Sequence, residues 1–179
     1  EIPGFLYGYI DTKAMRRIGK ISCWCGTDLT NVFENKYPYS NLEHSIAVAL
    51  IVWNFTKDKK QTLAGLFHDI ATPTFKHCID FMNGDYKKQE STEEQTREII
   101  ENSEEIMALL KRDNVKVEEV MDYHIYPIAD NDTPKLSSDR LEYTFTNGIY
   151  FDKPVWDFNT IKEIYEDIEI LTNEVNIQE

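Results

Sequence analysis

Ala64-Gly65-Leu66-Phe67-His68-Asp69-Ile70 is an apolar run that ends in a histidine joined directly to an aspartate. Leu63, Leu66, Phe67 and Ile70 recur at helical spacing, so the pair His68-Asp69 falls at the end of a helix driven into the core. A carboxylate in that position needs a partner. Pro73 disfavours helix at Thr72, so the helix is expected to end near the pair and expose it at the mouth of a pocket. An inward histidine taken alone is more often a hydrogen-bonded core residue than a ligand, and the rest of the chain must decide.

Upstream, Ser40 or Asn41 can cap a helix running through Leu42 to Trp53. His44, Val48, Ile51 and Phe55 form one stripe on it, which puts His44 on the buried face. Lys57 to Lys60 reads as a polar turn, and the His68-Asp69 helix begins near Gln61. Before these, Glu1 to Ile10 reads as an extended or looped lead-in. Asp11 to Ile21 reads as a helix whose basic face carries Lys13, Arg16, Arg17 and Lys20. Gly26 to Ser40 is loop.

Downstream, a short helix is expected over Thr74 to Phe81, closed at Asn83-Gly84. One long helix is expected over Glu93 to Leu110 and a shorter one over Val115 to Ile125, ending at Tyr123-His124. Thr133-Pro134 opens the next helix, with Pro134 in its first turn. In that helix Leu136, Asp139 and Tyr143 follow i, i+3, i+7, which turns Asp139 toward the core; the alternative is that Asp139 and Glu142 form a capping box. A last helix over Asn159 to Thr172 carries Ile161, Ile164, Ile168 and Leu171 on one side. Every segment reads as helical, so the expectation is a single all-α domain over residues 1–179.

Composition bounds the function. A chain of 179 residues can bury about two-thirds of its unfolded surface without staples. No apolar stretch approaches the roughly 20 residues of a membrane span, so no membrane partner is expected. A net charge of −13 without a basic stripe argues against nucleic acid as a partner. Cys23, Cys25 and Cys78 make an odd set without redox or zinc spacing, which suits reduced thiols in a cytoplasmic protein. A chain that begins with Glu1 rather than Met can be a portion of a longer one, so a leader stays open.

His44, His68, Asp69 and Asp139 thus stand on three helices, each on or at the end of a core-facing stripe. Two imidazoles and two carboxylates suit one divalent transition metal such as Fe, Mn, Zn, Ni or Co better than Mg, which prefers oxygen alone. A metal with open positions acidifies water and neutralises phosphate, which gives a small-molecule phosphate or nucleotide substrate a physical rationale. A purely structural hydrogen-bonded network is the competing account of the same four residues.

The order His, His-Asp, Asp resembles the HD-domain metal-dependent phosphohydrolases. Ala64 to His77 is similar to the AGLxHDxGHxPFSH stretch of the deoxynucleoside triphosphate triphosphohydrolase branch, and Leu42 to Ala49 to its RFEHSLGVA. Ser138 to Tyr143 resembles its D-[KR]-L-D-Y element, and Met15 to Ile18 its first RLRxI helix; the likeness covers residues 8–150, leaving 151–179 as a C-terminal helix. The resemblance implies an all-helical bundle and a metal held by His44, His68, Asp69 and Asp139. Asp69 is also the candidate to orient the attacking water. Arg140 and Tyr143 would face the phosphates or sugar, Arg140 or Lys76 is the candidate to take phosphate charge, and Thr72 and His77 would support the pocket from behind. Glu93 or His124 is the candidate general acid.

The chain departs from that branch where the branch grips a triphosphate. Asn41 replaces an Arg, Thr72 a His, Thr146-Asn147 an Arg-Asp pair, and Thr92 the His that precedes a Glu. Positive charge and a proton donor are lost together, which argues against a triphosphate substrate. Two functions remain: hydrolysis of a phosphate ester or anhydride through a metal-bound water, or a degenerate module that binds metal or nucleotide as a sensor or interaction domain. Assembly into an oligomer stays open, since no sequence feature forces it.

Overall fold

The computed structural model describes residues 2–34, 37–75, 79, 82–84, 95–131 and 135–171. Among them the regular elements are α1 (Leu6–Ile10), α2 (Lys13–Ile18), α3 (Asn41–Thr56), α4 (Lys59–Phe67), α5 (Thr96–Asn102), α6 (Glu104–Asp113), α7 (Ser138–Tyr150) and α8 (Phe158–Glu166), with 3-10 turns at Thr27–Leu29, Val117–Glu119 and Tyr123–Ile125. The fold is all-α, and the only pairing of extended backbone among the described residues is an isolated bridge between Ser22 and Ser40.

The central helix, α3, packs against both α4 and α7. Its start is set by a capping box: the Ser40 hydroxyl accepts from the Glu43 amide while the Glu43 carboxylate accepts from the Ser40 amide, a device worth about 1 kcal/mol. It ends at Lys57 in the left-handed region, and Asp58 immediately caps α4 through the Lys60 and Gln61 amides. That two-residue link folds α4 back along α3. The helices approach closely at Gly65, where an added Cβ would lie 3.2 Å from Val52 Cγ2. Leu63, Leu66, Phe67 and Ile70 are completely buried, as their spacing predicts, each stabilising the fold by about 1.5–3 kcal/mol. Leu6, Tyr9, Met15, Ile18, Ile100, Ile106 and Leu110 complete the same core from the flanking helices.

Several expectations are corrected. The lead-in is not looped: Leu6 and Tyr9 are both fully buried, and core burial at i, i+3 draws Leu6–Ile10 into a helix despite its aromatic, glycine-bearing sequence. The long helix expected from Glu93 breaks at Ser103, which is extended and whose hydroxyl accepts from the Ile106 amide. The break lets Ile100 and Ile106, six apart and out of phase on one helix, both enter the core. Val115 to Ile125 is two 3-10 turns rather than a helix; its β-branched valines are inserted singly and Asp122 caps His124 locally.

Thr133 and Pro134 lie outside the described residues; after them Lys135 to Ser137 is not helical and the helix starts at Ser138, capped by the Ser137 hydroxyl. Leu136 therefore precedes it and is 56 % exposed, and Tyr143 is 54 % exposed, so neither shares a buried stripe with Asp139. With Ser137 as the cap, Asp139 and Glu142 form no capping box. On α3 the buried line runs through Asn41, His44, Ser45, Val48, Ala49 and Val52, not through Ile51 and Phe55. The last helix starts at Phe158, ends at Glu166 and buries none of its residues. The short helix expected over Thr74 to Phe81 lies largely outside the described residues, as does Cys78. Among the described residues no helix is long and apolar enough to cross a membrane.

Candidate metal centre

His44 enters the site from the first turns of α3, His68 from the C-cap of α4, and Asp139 from the first turn of α7. Their ligand atoms all lie within 4.8 Å of one another. His44 Nε2 is 2.9 Å from Asp139 Oδ1 and 3.1 Å from His68 Nε2, and His68 Nε2 is 3.6 Å from the same carboxylate oxygen. Both histidines are buried, whereas Asp139 keeps 30 % of its side chain exposed, so the group opens to solvent on the carboxylate side.

The partners on the far side of each ring decide what this convergence means. His68 Nδ1 lies 2.8 Å from the Gly65 carbonyl and His44 Nδ1 lies 2.5 Å from Glu142 Oε2. A carbonyl and a carboxylate can only accept, so each Nδ1 carries a hydrogen. Each ring, when neutral, then turns an Nε2 lone pair into the same space, where a carboxylate oxygen already sits. Three electron-pair donors aimed at each other repel unless positive charge lies between them. Without a cation a proton fills that space: burial disfavours charge on His44, but its hydrogen bonds to Asp139 and Glu142 outweigh it and raise its pKa well above that of ordinary imidazole. His68 is raised too, where the Asp69 charge and the bond to Asp139 overcome burial. Asp139 is held well below the usual carboxylate range, its burial overcome by the bonds to His44 and His68. The cluster attracts cations, and its mixed nitrogen and oxygen set fits a divalent transition metal.

Asp69 stands apart from this triad. The sequence counts it as a ligand with the other three; its carboxylate lies outside the mutually close set. Its Oδ2 is 3.9 Å from His68 Nε2 and accepts from Asn41 Nδ2 at 3.2 Å. The physical reason is its place just past the C-cap His68, where the chain turns and the carboxylate meets the buried Asn41. That turn is clamped from outside by Arg17, which donates to the Ile70 carbonyl at 2.6 Å and the Thr72 carbonyl at 2.9 Å. Burial lowers the Arg17 pKa.

The other sequence candidates fall elsewhere. Arg140 is spent on the loop before α7: it donates to Asn131 Oδ1 and the Lys135 carbonyl at 2.9 Å each, to Ser137 Oγ and the Asn131 carbonyl, and pairs with Asp130 at 3.1 Å. Tyr143 lies on α7 with Asp139 but is exposed. His124 pairs with Asp122 at 3.0 Å and stacks on Tyr123, whose ring in turn packs edge-on against His68. Thr72 is buried, its carbonyl taken by Arg17. Lys76, His77, Thr92 and Glu93 lie outside the described residues. On the basic face of α2, Arg16 pairs with Asp11 and Lys13 with Glu105. The hollow of about 700 Å³ beside Lys13 and Arg17 is lined equally by Glu98, Glu104 and Glu105, which leaves it a poor anion site.

Sequence reading missed Glu142. It is buried, takes the His44 Nδ1–H on one oxygen, and accepts on the other from the Tyr39 hydroxyl at 2.5 Å and the Thr146 hydroxyl at 2.6 Å. Burial and then the Glu142 charge push the Tyr39 phenol far above its ordinary range. The available signal was spacing: Glu142 is i+3 from Asp139 and Thr146 is i+4 from Glu142, so all three share one face of α7.

Comparison with known proteins gives the same picture. A protein of Bacillus subtilis (strain 168) described as uncharacterized protein YdhJ is 26 % identical over 145 residues, covering 80 % of this chain and 43 % of the relative. The chain therefore spans less than half of that relative's length. The family model of the HD domain matches residues 41–143, a span that opens at Asn41 and includes all three members of the triad. The matched span is more than half of the chain and holds the two histidines and the aspartate in order, and on that ground this protein belongs to the HD-domain family, whose members are in general hydrolases that bind divalent metals.

Proposed function

We propose that this HD domain is a metal-dependent phosphohydrolase acting on a nucleotide or a related small phosphate ester or anhydride. The observation that supports this most is the convergence of two Nε2 atoms and the Asp139 carboxylate, with an acceptor oxygen beside each Nδ1 behind them. His44, His68 and Asp139 would hold the cation, with Asp69, on the rim, as the fourth ligand. A cation bound there would lower the pKa of water and offset phosphate charge. Asp69, with its Oδ2 3.9 Å from His68 Nε2, keeps 28 % of its side chain exposed, so it suits the orientation of a water or the acceptance of its proton. Asn41 holds that carboxylate in place.

The charge around the site favours a substrate with few negative charges. Arg17 and Arg140 are both committed to main-chain carbonyls, and Asn41, where the triphosphohydrolase branch has an Arg, donates to Asp69 instead. A monophosphate ester or a phosphodiester asks less of the pocket than a triphosphate. The same commitment of both guanidinium groups supports a second reading, a module that binds metal and nucleotide without turning it over.

One experiment separates them. Elemental analysis of the purified chain is followed by a panel of phosphomonoesters, phosphodiesters and nucleoside mono-, di- and triphosphates. Product release on the low-charge members supports hydrolysis. Full metal loading and ligand-induced stabilisation without product on any member supports the binding module. Absence of metal uptake defeats both.

A further inference from the structure

We infer that Glu142 is a positioning residue that sets the tautomer of His44, and so decides whether α3 offers the metal a lone pair or a hydrogen. This rests on the metal reading above and goes beyond it by assigning a role to a buried carboxylate outside the ligand set. An isolated neutral imidazole carries its hydrogen on either nitrogen, and with the hydrogen on Nε2 the His44 ring would point a donor at the cation. Glu142 Oε2, 2.5 Å from His44 Nδ1, removes that choice. Glu142 is itself fixed: Tyr39 and Thr146 donate to its other oxygen at 2.5 and 2.6 Å, so the carboxylate cannot rotate away. Tyr39 is anchored in turn by rings, packing against Trp24 and Tyr37 with centroids 5.6 and 6.3 Å apart. The chain of contacts runs from an aromatic cluster through two hydroxyls and one carboxylate to a single ring nitrogen.

The test uses the full chain, Mn²⁺ as probe, and two variants. Glu142→Leu removes the acceptor, while Glu142→Gln keeps an acceptor oxygen without the charge. In the wild type, proton NMR should show a strongly deshielded, slowly exchanging His44 Nδ1–H, assigned by its loss in His44→Ala. Glu142→Leu should lose that signal and weaken Mn²⁺ binding by about 10–100-fold, the range for outer partners of ligating histidines. Glu142→Gln should keep a shifted signal and lose less affinity, a graded rescue that a packing role alone would not give. Unchanged Mn²⁺ affinity in a folded Glu142→Leu chain overturns the inference and leaves the metal reading standing. Should that variant fail to fold, an unchanged signal together with unchanged affinity in Glu142→Gln overturns it equally. Failure of the wild type to bind Mn²⁺ sinks the metal reading and this inference together.

Discussion

On the α4 side of the metal centre His68 donates its Nδ1–H to the Gly65 carbonyl three residues back, whereas on the α3 side His44 donates to Glu142, a side chain 98 residues further along the chain. The first bond is made as soon as α4 ends, because the main chain supplies the acceptor. The second exists only once α7 has docked on α3. One ring is aimed by local structure and the other by tertiary assembly, and only the second can be re-aimed by replacing a partner side chain. The difference also extends outward: the α4 side is clamped by Arg17 through main-chain carbonyls, the α3 side by hydroxyls of Tyr39 and Thr146.

The largest effect comes from removing either ring itself. His68→Ala or His44→Ala removes a donor of the triad, and retained metal measured by elemental analysis should fall further than for any change behind the ligands, by more than about 100-fold in affinity. Saturating metal should also stabilise the wild type: at 100 times Kd the linkage is about 2.7 kcal/mol, a rise of roughly 5–10 °C in Tm for a domain of this size. Calorimetry should show that rise abolished in both alanine variants. A variant that keeps it shows that its histidine is not a ligand.

A middle-sized effect sharpens the comparison on the α4 side. Arg17→Ala leaves two carbonyls of the turn after His68-Asp69 without their charged donor, at a cost of about 1.5–3 kcal/mol in urea unfolding. Because His68 keeps its bond to Gly65, the His68 ring should stay aimed and Mn²⁺ affinity should fall less than in Glu142→Leu. The opposite ranking would mean that the turn, not the ring partner, governs the site.

Much of this centre was legible because ligand chemistry constrains residue type. His44, His68 and Asp139 stand in the order His, His-Asp, Asp, and the folded chain brings those three together. What stands behind them was harder to read, for a physical reason. Asp139 and Glu142 fit a capping box on spacing alone, and only the position of Ser137 as the true cap shows that both carboxylates are free to face α3. Arg140 and Tyr143 adjoin these positions in sequence, yet on a helix successive residues point about 100° apart, so they serve the loop and the solvent side instead. The helix boundaries failed where one serine hydroxyl competes with continued helix, as at Ser103 and Ser137.

The smallest effect supplies the control, since it should change stability and leave the centre alone. Asp113, at the end of α6, accepts from Arg112 at 2.7 Å and Tyr9 at 2.9 Å and pairs with Lys59 at 3.3 Å, tying α1 and the start of α4 together. The Arg112 hydrogen bond, with those of Tyr9 and Lys59, outweighs burial and holds the Asp113 carboxyl below the usual range. A carboxylate with a depressed folded-state pKa contributes stability that is present above its unfolded pKa, about 3.9, and is lost as pH falls through the folded value. Asp113→Asn should therefore cost about 1 kcal/mol at pH 7, the net worth of a hydrogen bond. In urea unfolding the gap between wild type and variant should close as pH drops below about 4, while Mn²⁺ affinity at pH 7 stays the same in both. A gap that ignores pH would show that Asp113 acts by shape rather than charge; a changed Mn²⁺ affinity would show that the Lys59 end of α4 is coupled to the His68 end, and that the α4 side is less self-contained than its local bond to Gly65 implies.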